Sequence, residues 1–149
     1  MPLAPEAAIP DALLEHLGEF AAAQSPALGV FYPGLPFSPT DGVAYLAARY
    51  MPNRNDVLAV SDAAHERHFG LLQVSVMWPD GEGGIIPAMD LAGQVIAHFP
   101  KGTRLQGDGV KVEITRQAWL VQPLEEDDGR LQVPVTIPYQ AFVAPAVSP

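Results

Sequence analysis

The sequence predicts an α+β fold, in which a mostly antiparallel or mixed β-sheet is packed by an N-terminal helix and by a helix after the central strand. Segments with strand character outnumber helical ones, turns join most neighbouring strands, and a single strand-helix-strand unit is visible. The chain has 149 residues, which is the size of one domain. Within 1–149 we expect a helix at about 10–24, a core at about 27–143 and a short flexible C-terminal tail.

The N-terminal helix is predicted from apolar residues that recur at helical spacing. These residues are Leu13, Leu14, Leu17, Phe20 and Ala21. Asp11 favours a helix N-terminus close to it, and Ser25-Pro26 ends the apolar run.

The next segments predict irregular structure around one strand. Residues 28–39 contain three prolines and a Pro33-Gly34 pair, which indicates an extended, partly polyproline-like loop. Residues 43–51 predict a strand, because they are mostly apolar and are followed by Pro52-Asn53. The polar residues 53–68 predict a long excursion or an irregular hairpin tip.

The strongest strand signal lies at residues 69–78, which we expect at the centre of the sheet. One face of this strand would carry Leu72, Val74, Val76 and Trp78. A helix is predicted after it, because apolar residues again recur at helical spacing. Its apolar stripe would consist of Ile85, Met89, Ala92, Ile96 and Phe99, with Leu91 and Val95 at its side.

The C-terminal third predicts a hairpin and a long last strand. The hairpin joins residues 103–106 to 110–116 through Gly107-Asp108-Gly109. An acidic turn at 125–129 then leads into a strand at 130–143, where alternate residues are apolar.

Two prolines in the last strand indicate its position in the sheet. Pro134 and Pro138 are four residues apart, so both missing N–H donors face the same side of the strand. We therefore expect this strand at an edge of the sheet, where the prolines either prevent strand addition or shape it for a particular neighbour.

Composition excludes several classes of function. The chain has no cysteine, which removes disulfides, thiolate metal ligands and a cysteine nucleophile. Its formal charge of −9 disfavours binding to nucleic acid and to anionic membranes. No apolar run has the length of a membrane span, and the first residues lack the basic region of a signal peptide. Lys101, Arg104, Lys111 and Arg116 would form either a small basic patch or a solvated hairpin surface.

The glycine-rich loop at 80–84 resembles the start of a nucleotide-phosphate site, but its chemistry favours a structural turn. Gly81, Gly83 and Gly84 are followed by Ile85-Ile86-Pro87, without the Lys-Ser/Thr pair of a P-loop. Asp80 and Glu82 would repel a phosphate and would stabilise a helix N-terminus.

No pattern predicts a catalytic or metal site, and no cofactor is expected. His65 and His68 lie in HERH, one residue short of the zinc-protease spacing, and we expect them in an exposed loop. The acidic run Glu125 to Asp128 lacks the alternating ligands of a calcium loop, which favours a solvated turn. No serine has a G-x-S-x-G context.

Four segments, taken in order, carry a family resemblance. They are ALGVFYPGLPFSP, YLAARYMPN, GLLQVSVMWPDGEGGIIPAMDLAGQVIAHFPKGTRL and QVPVTIPYQAF. Together they span about residues 27–142, and they resemble the tail terminator proteins of long-tailed bacteriophages and of related prophages and gene transfer agents. The most specific piece is W-P-D-G-E-G followed by the helix that ends in H-F-P-K-G-T-R-L.

The resemblance implies a structural virion protein rather than an enzyme. Members of this family close into a ring, usually of six copies, on the head-proximal end of the tail tube. The ring stops tube polymerisation and offers a surface for joining the head. The implied partners are other copies of the chain, the major tail tube protein and the head connector or stopper protein. DNA would pass through the lumen without specific binding, and no membrane is involved. The implied location is the neck region of a virion assembled from protein made in the bacterial host cytoplasm.

Three regions are the predicted contact surfaces, because exposed aromatic residues and shaped strand edges are common at interfaces. They comprise Phe31, Tyr32, Pro33 and Phe37; Asp80, Gly81, Glu82 and Gly83; and Pro134 and Pro138. The alternatives are another head-tail connector or neck component, or a small nucleotide-binding enzyme that uses the Gly81–Gly84 loop.

Overall fold

The computed structural model describes residues 3–53, 56–57, 66–79, 81, 83–126 and 129–143, with only the backbone of 56–57. These residues form two helices and nine strands, which confirms the predicted α+β class. In chain order the elements are α1 (Pro5–Ala23), β1 (Gly29–Phe31), β2 (Tyr45–Pro52), β3 (Asp56–Val57), β4 (Glu66–Pro79), α2 (Ile85–His98), β5 (Arg104–Gly107), β6 (Val110–Ile114), β7 (Trp119–Leu120), β8 (Leu124–Glu125) and β9 (Arg130–Val143).

All the described strands belong to one mixed sheet. Its main path is β1-β2-β4-β9-β6-β5, with β3 beside β4, and β7 and β8 beside β9. Strands β1 and β2 are parallel and the other pairs are antiparallel. The long strands β4 and β9 pair from Glu66↔Val143 to Pro79↔Arg130. This pair is the centre of the sheet, which confirms the prediction for residues 69–78.

One face of the sheet carries both helices and the core. Leu72, Val74 and Val76 of β4 are fully buried on this face, as their alternation predicted. Side chains of α1 and α2 join them in one apolar cluster. The opposite face, called the open face here, consists of the alternating residues, such as Phe69 and Leu71 on β4 and Gln140 on β9. The protein therefore has a helix layer and a sheet layer.

Helix α1 begins at Pro5, five residues before the predicted start. Pro5 lies in the first turn, where its missing N–H costs nothing, and Glu6 adds an acidic side chain at the positive end of the helix. Pro10 lies inside the helix. The prediction was wrong at this end because Pro10 and Asp11 give the same start signal one and a half turns later.

Helix α2 has nearly its predicted length but a rotated buried face. The buried residues are Ala88, Leu91, Ala92 and Val95, with Phe99 directly after the helix. Leu91 and Val95, predicted at the side of the stripe, lie at its centre, whereas Ile86 is 71% exposed and Ile85 is also exposed. Small alanines allow this face of the helix to approach the sheet, so the large isoleucines of the first turn remain outside.

The loop prediction was confirmed in part, and the predicted hairpin is present, although Gly107 belongs to β5 and β6 ends at Ile114. Within 28–39 the structure has a short strand, β1, followed by a turn in which Leu35 N–H donates to Tyr32 O at 3.2 Å. Gly34 in this turn has φ 79°. The β5–β6 hairpin pairs Gly107 with Val110 through a two-residue turn. Within 53–68, β3 and the start of β4 are strands, and residues 54–55 and 58–65 lie outside the described residues.

The last strand has its predicted bounds, but it is central rather than at an edge. Strand β4 lies on one side of β9, and β6, β7 and β8 lie in succession on the other. The carbonyls of Pro134 and Pro138 accept hydrogen bonds from Val121 and Thr115 on this second side, so the proline nitrogens face it too. Pro138 lies between the pairings of β6 and β7, and Pro134 between those of β7 and β8. The edge prediction was wrong because three short strands cover this side and break at each proline.

Candidate interface surfaces

Three loops converge at one end of the sheet, called the loop end. They are residues 32–44 before β2, the glycine loop before α2, and the turn before β9. A hollow of about 160 Å³ separates the glycine loop from that turn, and its lining includes Gly81, Gly84, Glu125 and Glu126. Phe37 of the predicted aromatic region and the glycine loop therefore lie at the same end of the protein, whereas Phe31 lies beside Ala47 at the edge of the sheet.

The aromatic loop is held in place by its own rings. Phe31 and Phe37 stack with centroids 5.7 Å apart, and Phe37 packs on Tyr45 at 4.8 Å. The Tyr32 hydroxyl lies 2.7 Å from the position that a Cβ at Gly18 would occupy, so it contacts α1 directly. Phe31 remains exposed. The loop thus presents an aromatic edge on a rigid base.

Arg130, which no sequence pattern singled out, anchors the same loop. Its Nη1 donates to Val43 O and its Nη2 to Thr40 O, both at 2.7 Å. The guanidinium lies 5.0 Å from the centroid of the Tyr45 ring, and Arg130 is only 8% exposed. A single arginine at the start of a strand gives no sequence signal for contacts to residues about 90 positions away.

The glycine loop is built as a turn. Gly81, Gly83 and Gly84 have φ of 83°, 87° and 69°, which only glycine adopts easily. Gly84 precedes α2 and makes no side-chain cap, and Pro87 lies in the first turn. Asp80 and Glu82 lie outside the described residues.

The hollow beside the glycine loop is unsuited to a phosphate. Glu125 and Glu126 line it opposite the glycines, and their carboxylates would repel an anion. Arg130 also lines the hollow, but its guanidinium is hydrogen-bonded to the backbone of the aromatic loop. This arrangement does not favour the nucleotide-site alternative.

A larger groove of about 470 Å³ lies between the helix layer and the loop end. Its apolar lining includes Leu28, Val43, Trp78, Pro87 and Leu91. The exposed side chains of Ile85 and Ile86 belong to the same first turn of α2. Exposed apolar surface of this kind is common where another protein binds.

Pro134 and Pro138 are buried within the sheet. Pro138 also lines a shallow depression of about 420 Å³ on the open face, together with Arg67, Phe69 and Arg116. The two prolines therefore belong to the open face and do not shape an edge strand.

The histidines of HERH are not both in an exposed loop. His65 lies outside the described residues, but His68 is part of β4 and only 7% exposed. Its Nε2 is 3.1 Å from Glu66 Oε1, which lies on the same side of the strand. The strand continues further into the polar segment than its composition indicated, because β3 and β9 both pair with it there. Of the acidic run, Asp127 and Asp128 lie outside the described residues.

A histidine pair joins α1 to α2. The rings of His16 and His98 stack with centroids 3.9 Å apart. His16 Nε2 donates to His98 O at 2.7 Å, and His98 Nε2 donates to His16 O at 2.8 Å. Burial lowers the pKa of His98, and the hydrogen bond to the His16 carbonyl opposes this shift.

The same pair is the group among the described residues that comes nearest to a metal site. Ligand atoms of His16, Glu19 and His98 lie within 4.8 Å of one another. Both Nε2 atoms are already used by backbone carbonyls, and stacked rings direct their in-plane lone pairs along nearly parallel planes rather than at one point. The geometry fits a clasp between the helices.

Of the two helices described, neither has the length and apolar character that spanning a bilayer requires.

Known proteins resemble this architecture. A solved structure with 28% sequence identity has a TM-score of 0.75, and the match covers 95% of each chain. A chain from the virion of a native gene transfer agent particle has 18% identity and a TM-score of 0.51, and the match covers 95% of this chain and 98% of that one. The latter likeness shows a shared fold. None of the curated protein sequences matches this chain.

A sequence profile identifies the family. Residues 8–139 match the phage tail terminator proteins, a range that includes α1 from Ala8 onward, all of α2 and β9 as far as Tyr139. This range exceeds the 27–142 resemblance at its N-terminal side, so α1 is part of the shared domain. The chain belongs to the phage tail terminator protein family, whose members are structural proteins of phage tails.

Proposed function

We propose that this protein forms a ring of six copies on the head-proximal end of a phage tail tube. The ring stops tube polymerisation and provides the surface to which the head joins. The observation that carries this proposal is the family match over residues 8–139. A structural role without enzymatic activity is also consistent with a glycine loop that faces two carboxylates.

The sheet offers a physical route to a closed ring. A head-to-tail interface needs two non-identical surfaces, and it closes when its rotation divides a full turn. The main path of the sheet ends in β1 on one side and in β5 on the other. These edges differ in length, neighbours and sequence, so the two sides of the subunit are not identical, as a head-to-tail contact requires.

The loop end is the proposed surface for the tube or the head. Phe37 of the aromatic loop packs on Tyr45 at the start of β2, and Gly81 and Gly83 follow the end of β4, so both loops have residues at this end. The proposed contact surface also includes Phe31, Tyr32 and Pro33 of the aromatic loop and the remainder of the glycine loop. Rigid aromatic residues on an anchored loop are common interface anchors, because little conformational entropy is lost when they bind. The partners proposed for this end are the major tail tube protein and the head connector or stopper protein.

DNA is proposed to pass through the lumen without specific binding, and the protein is placed in the neck of the virion. The formal charge of −9 per copy supports weak interaction with a polyanion. A different head-tail connector component remains the second candidate. It shares the ring and the acidic charge and differs in the partner that it touches.

The proposal is tested first by native mass spectrometry and negative-stain imaging at micromolar concentration, with and without purified tail tubes. Rings of six copies, either free or on tube ends, are the expected result. Particles that lack this protein should carry tails of abnormal length that do not join heads. Normal tails joined to heads in its absence would refute the proposal. Specific ATP or NAD binding that Gly83→Val abolishes would favour the enzyme alternative.

A further inference from the structure

The lysines and arginines of this protein lie outside its two helices, whose charged residues are all acidic. Helices α1 and α2 contain no lysine or arginine, although together they span 33 residues, 19 and 14 respectively. Three exposed acidic residues of α1, called the acidic stripe here, are Asp11, Glu15 and Glu19. Residues four apart lie on one side of a helix, so this stripe is about 12 Å long at ~1.5 Å per residue.

The open face carries cations instead. Arg67, Arg104, Lys111 and Arg116 form a basic patch around the C-terminal half of β9. Arg67 and Lys111 both align with Phe142, one from each neighbouring strand. They are therefore separated by two interstrand spacings, which is about 10 Å.

Two acidic residues adjoin the patch on this face by strand register, Glu113 on β6 and Asp56 opposite Arg67. Glu113 lies 3.2 Å from the Nε of Arg104, which is 77% exposed. Phe142, between Arg67 and Lys111, is 36% exposed. The patch thus combines an excess of positive charge with an exposed aromatic ring, and its width is similar to the length of the acidic stripe.

The patch and the stripe lie on opposite sides of the same part of the subunit. Helix α1 packs on the covered side of β5 and β6, where the Cβ position of Gly107 lies 3.0 Å from Ala8 O. The basic patch includes residues on the open side of the same two strands. Because the two surfaces face away from each other, they cannot meet within one copy, and between copies they give a head-to-tail contact.

We infer that the basic patch on the open face of one copy docks on the acidic stripe of α1 in the next copy. This contact rests on the proposed ring, and it names the surfaces that hold the ring together. Opposite charges orient the approaching subunits, and Phe142 supplies apolar area at the centre of the patch. The net charge of −9 disfavours a nucleic acid as the occupant, since the whole protein repels a polyanion at long range.

A charge exchange between two variants tests the inference. The first variant carries Lys111→Glu and Arg116→Glu, both at exposed positions, so its patch becomes acidic. The second carries Asp11→Lys and Glu15→Lys, so its stripe becomes basic. Each variant alone is expected to associate on the order of 100-fold more weakly than the natural chain, because like charges then face each other. An equimolar mixture is expected to restore rings in which the variants alternate.

Matched controls separate this effect from net charge. Arg49→Glu changes an exposed cation on β2 of the open face, outside the patch, and Asp90→Lys changes an acid of α2, outside the stripe. Both are expected to leave association within about twofold of the natural chain. Raising NaCl from 0.05 to 0.5 M should weaken rings of the natural chain, because salt screens the contact. Circular dichroism and thermal unfolding establish that all variants are folded.

The outcomes are distinguishable from those of the ring proposal. Rings that form normally in both charge-reversed variants would overturn this contact and leave the proposed ring intact. Loss of rings in both variants without rescue in the mixture would overturn it as well. Tight binding of a single-stranded oligonucleotide, lost with the first variant, would make the patch a nucleic-acid site instead. A natural chain that stays monomeric even on tube ends would refute the ring itself.

Discussion

Gly70 and Tyr139 lie directly opposite each other in the central strand pair, and the Tyr139 hydroxyl passes over Gly70 to reach β2. A Cβ at residue 70 would lie 2.9 Å from this hydroxyl and would also collide with the Met51 carbonyl. The tyrosine hydroxyl donates to the Tyr50 hydroxyl at 2.8 Å. The missing side chain therefore creates the space for a hydrogen bond across three strands.

Substitution of Gly70 by alanine is expected to destabilise the protein by about 2–3 kcal/mol, because the added methyl meets backbone that cannot move. Urea unfolding at pH 7 measures this change. Gly93→Ala is the control, since Gly93 is exposed within α2 and has open space around its Cβ position. It should stabilise by about 0.5–1 kcal/mol. Equal effects of the two substitutions would contradict the steric argument.

The tyrosine pair predicts an alkaline loss of stability. Burial raises the pKa of Tyr139, and also that of Tyr50, above the ordinary 10.0. The native state keeps these protons at a pH where the unfolded chain releases them, so stability is present below pH 10.0 and falls as pH rises above it. Tyr139→Phe should cost about 1 kcal/mol at pH 7. It should also lose less stability than the natural chain between pH 9 and 11. Parallel curves in urea unfolding over that interval would refute the assignment.

The sequence predicted those parts of the fold that depend on local signals. Alternation predicted the bounds of β9 and most of β4, and the glycines around Asp108 predicted the β5–β6 hairpin, because strand period and turn chemistry are properties of neighbouring residues. The prolines of β9 showed that one side of this strand lacks two backbone N–H donors. They could not reveal that three short strands cover that side, since the pairing of β6, β7 and β8 depends on the whole sheet.

The surfaces were less predictable, because distant residues build them. Arg130 binds carbonyls 87 and 90 positions away, and His16 meets His98 across 82 positions. The basic group predicted from the sequence also depends in part on a distant residue. Arg104, Lys111 and Arg116 share the open face, but Arg67 joins them only through strand pairing. A single sequence carries no signal for such meetings.

The histidine clasp predicts an acid-side effect on stability. Burial lowers the pKa of His98 below its ordinary value of 6.5, so protonation favours the unfolded chain. Stability is therefore present above pH 6.5 and falls as pH decreases through the native pKa. His98→Gln keeps a donor near His16 O but does not titrate. Its chemical unfolding should depend less on pH between 7 and 5 than that of the natural chain. Identical slopes would show that another group dominates.

The contacts of Arg130 indicate that its guanidinium holds the aromatic loop in place, so its removal should loosen the loop. Arg130→Gln leaves the carbonyls of Thr40 and Val43 without their charged donor, and the expected cost is about 2–3 kcal/mol at pH 7. Hydrogen exchange and limited proteolysis should show faster opening of residues 38–44, with little change in β4 or β9. Arg104→Gln is the control, because its ion pair with Glu113 is exposed and contributes less than about 1 kcal/mol. Exchange rates at 38–44 that match those of the natural chain would mean that the stacked rings of Phe31, Phe37 and Tyr45 hold the loop without the arginine.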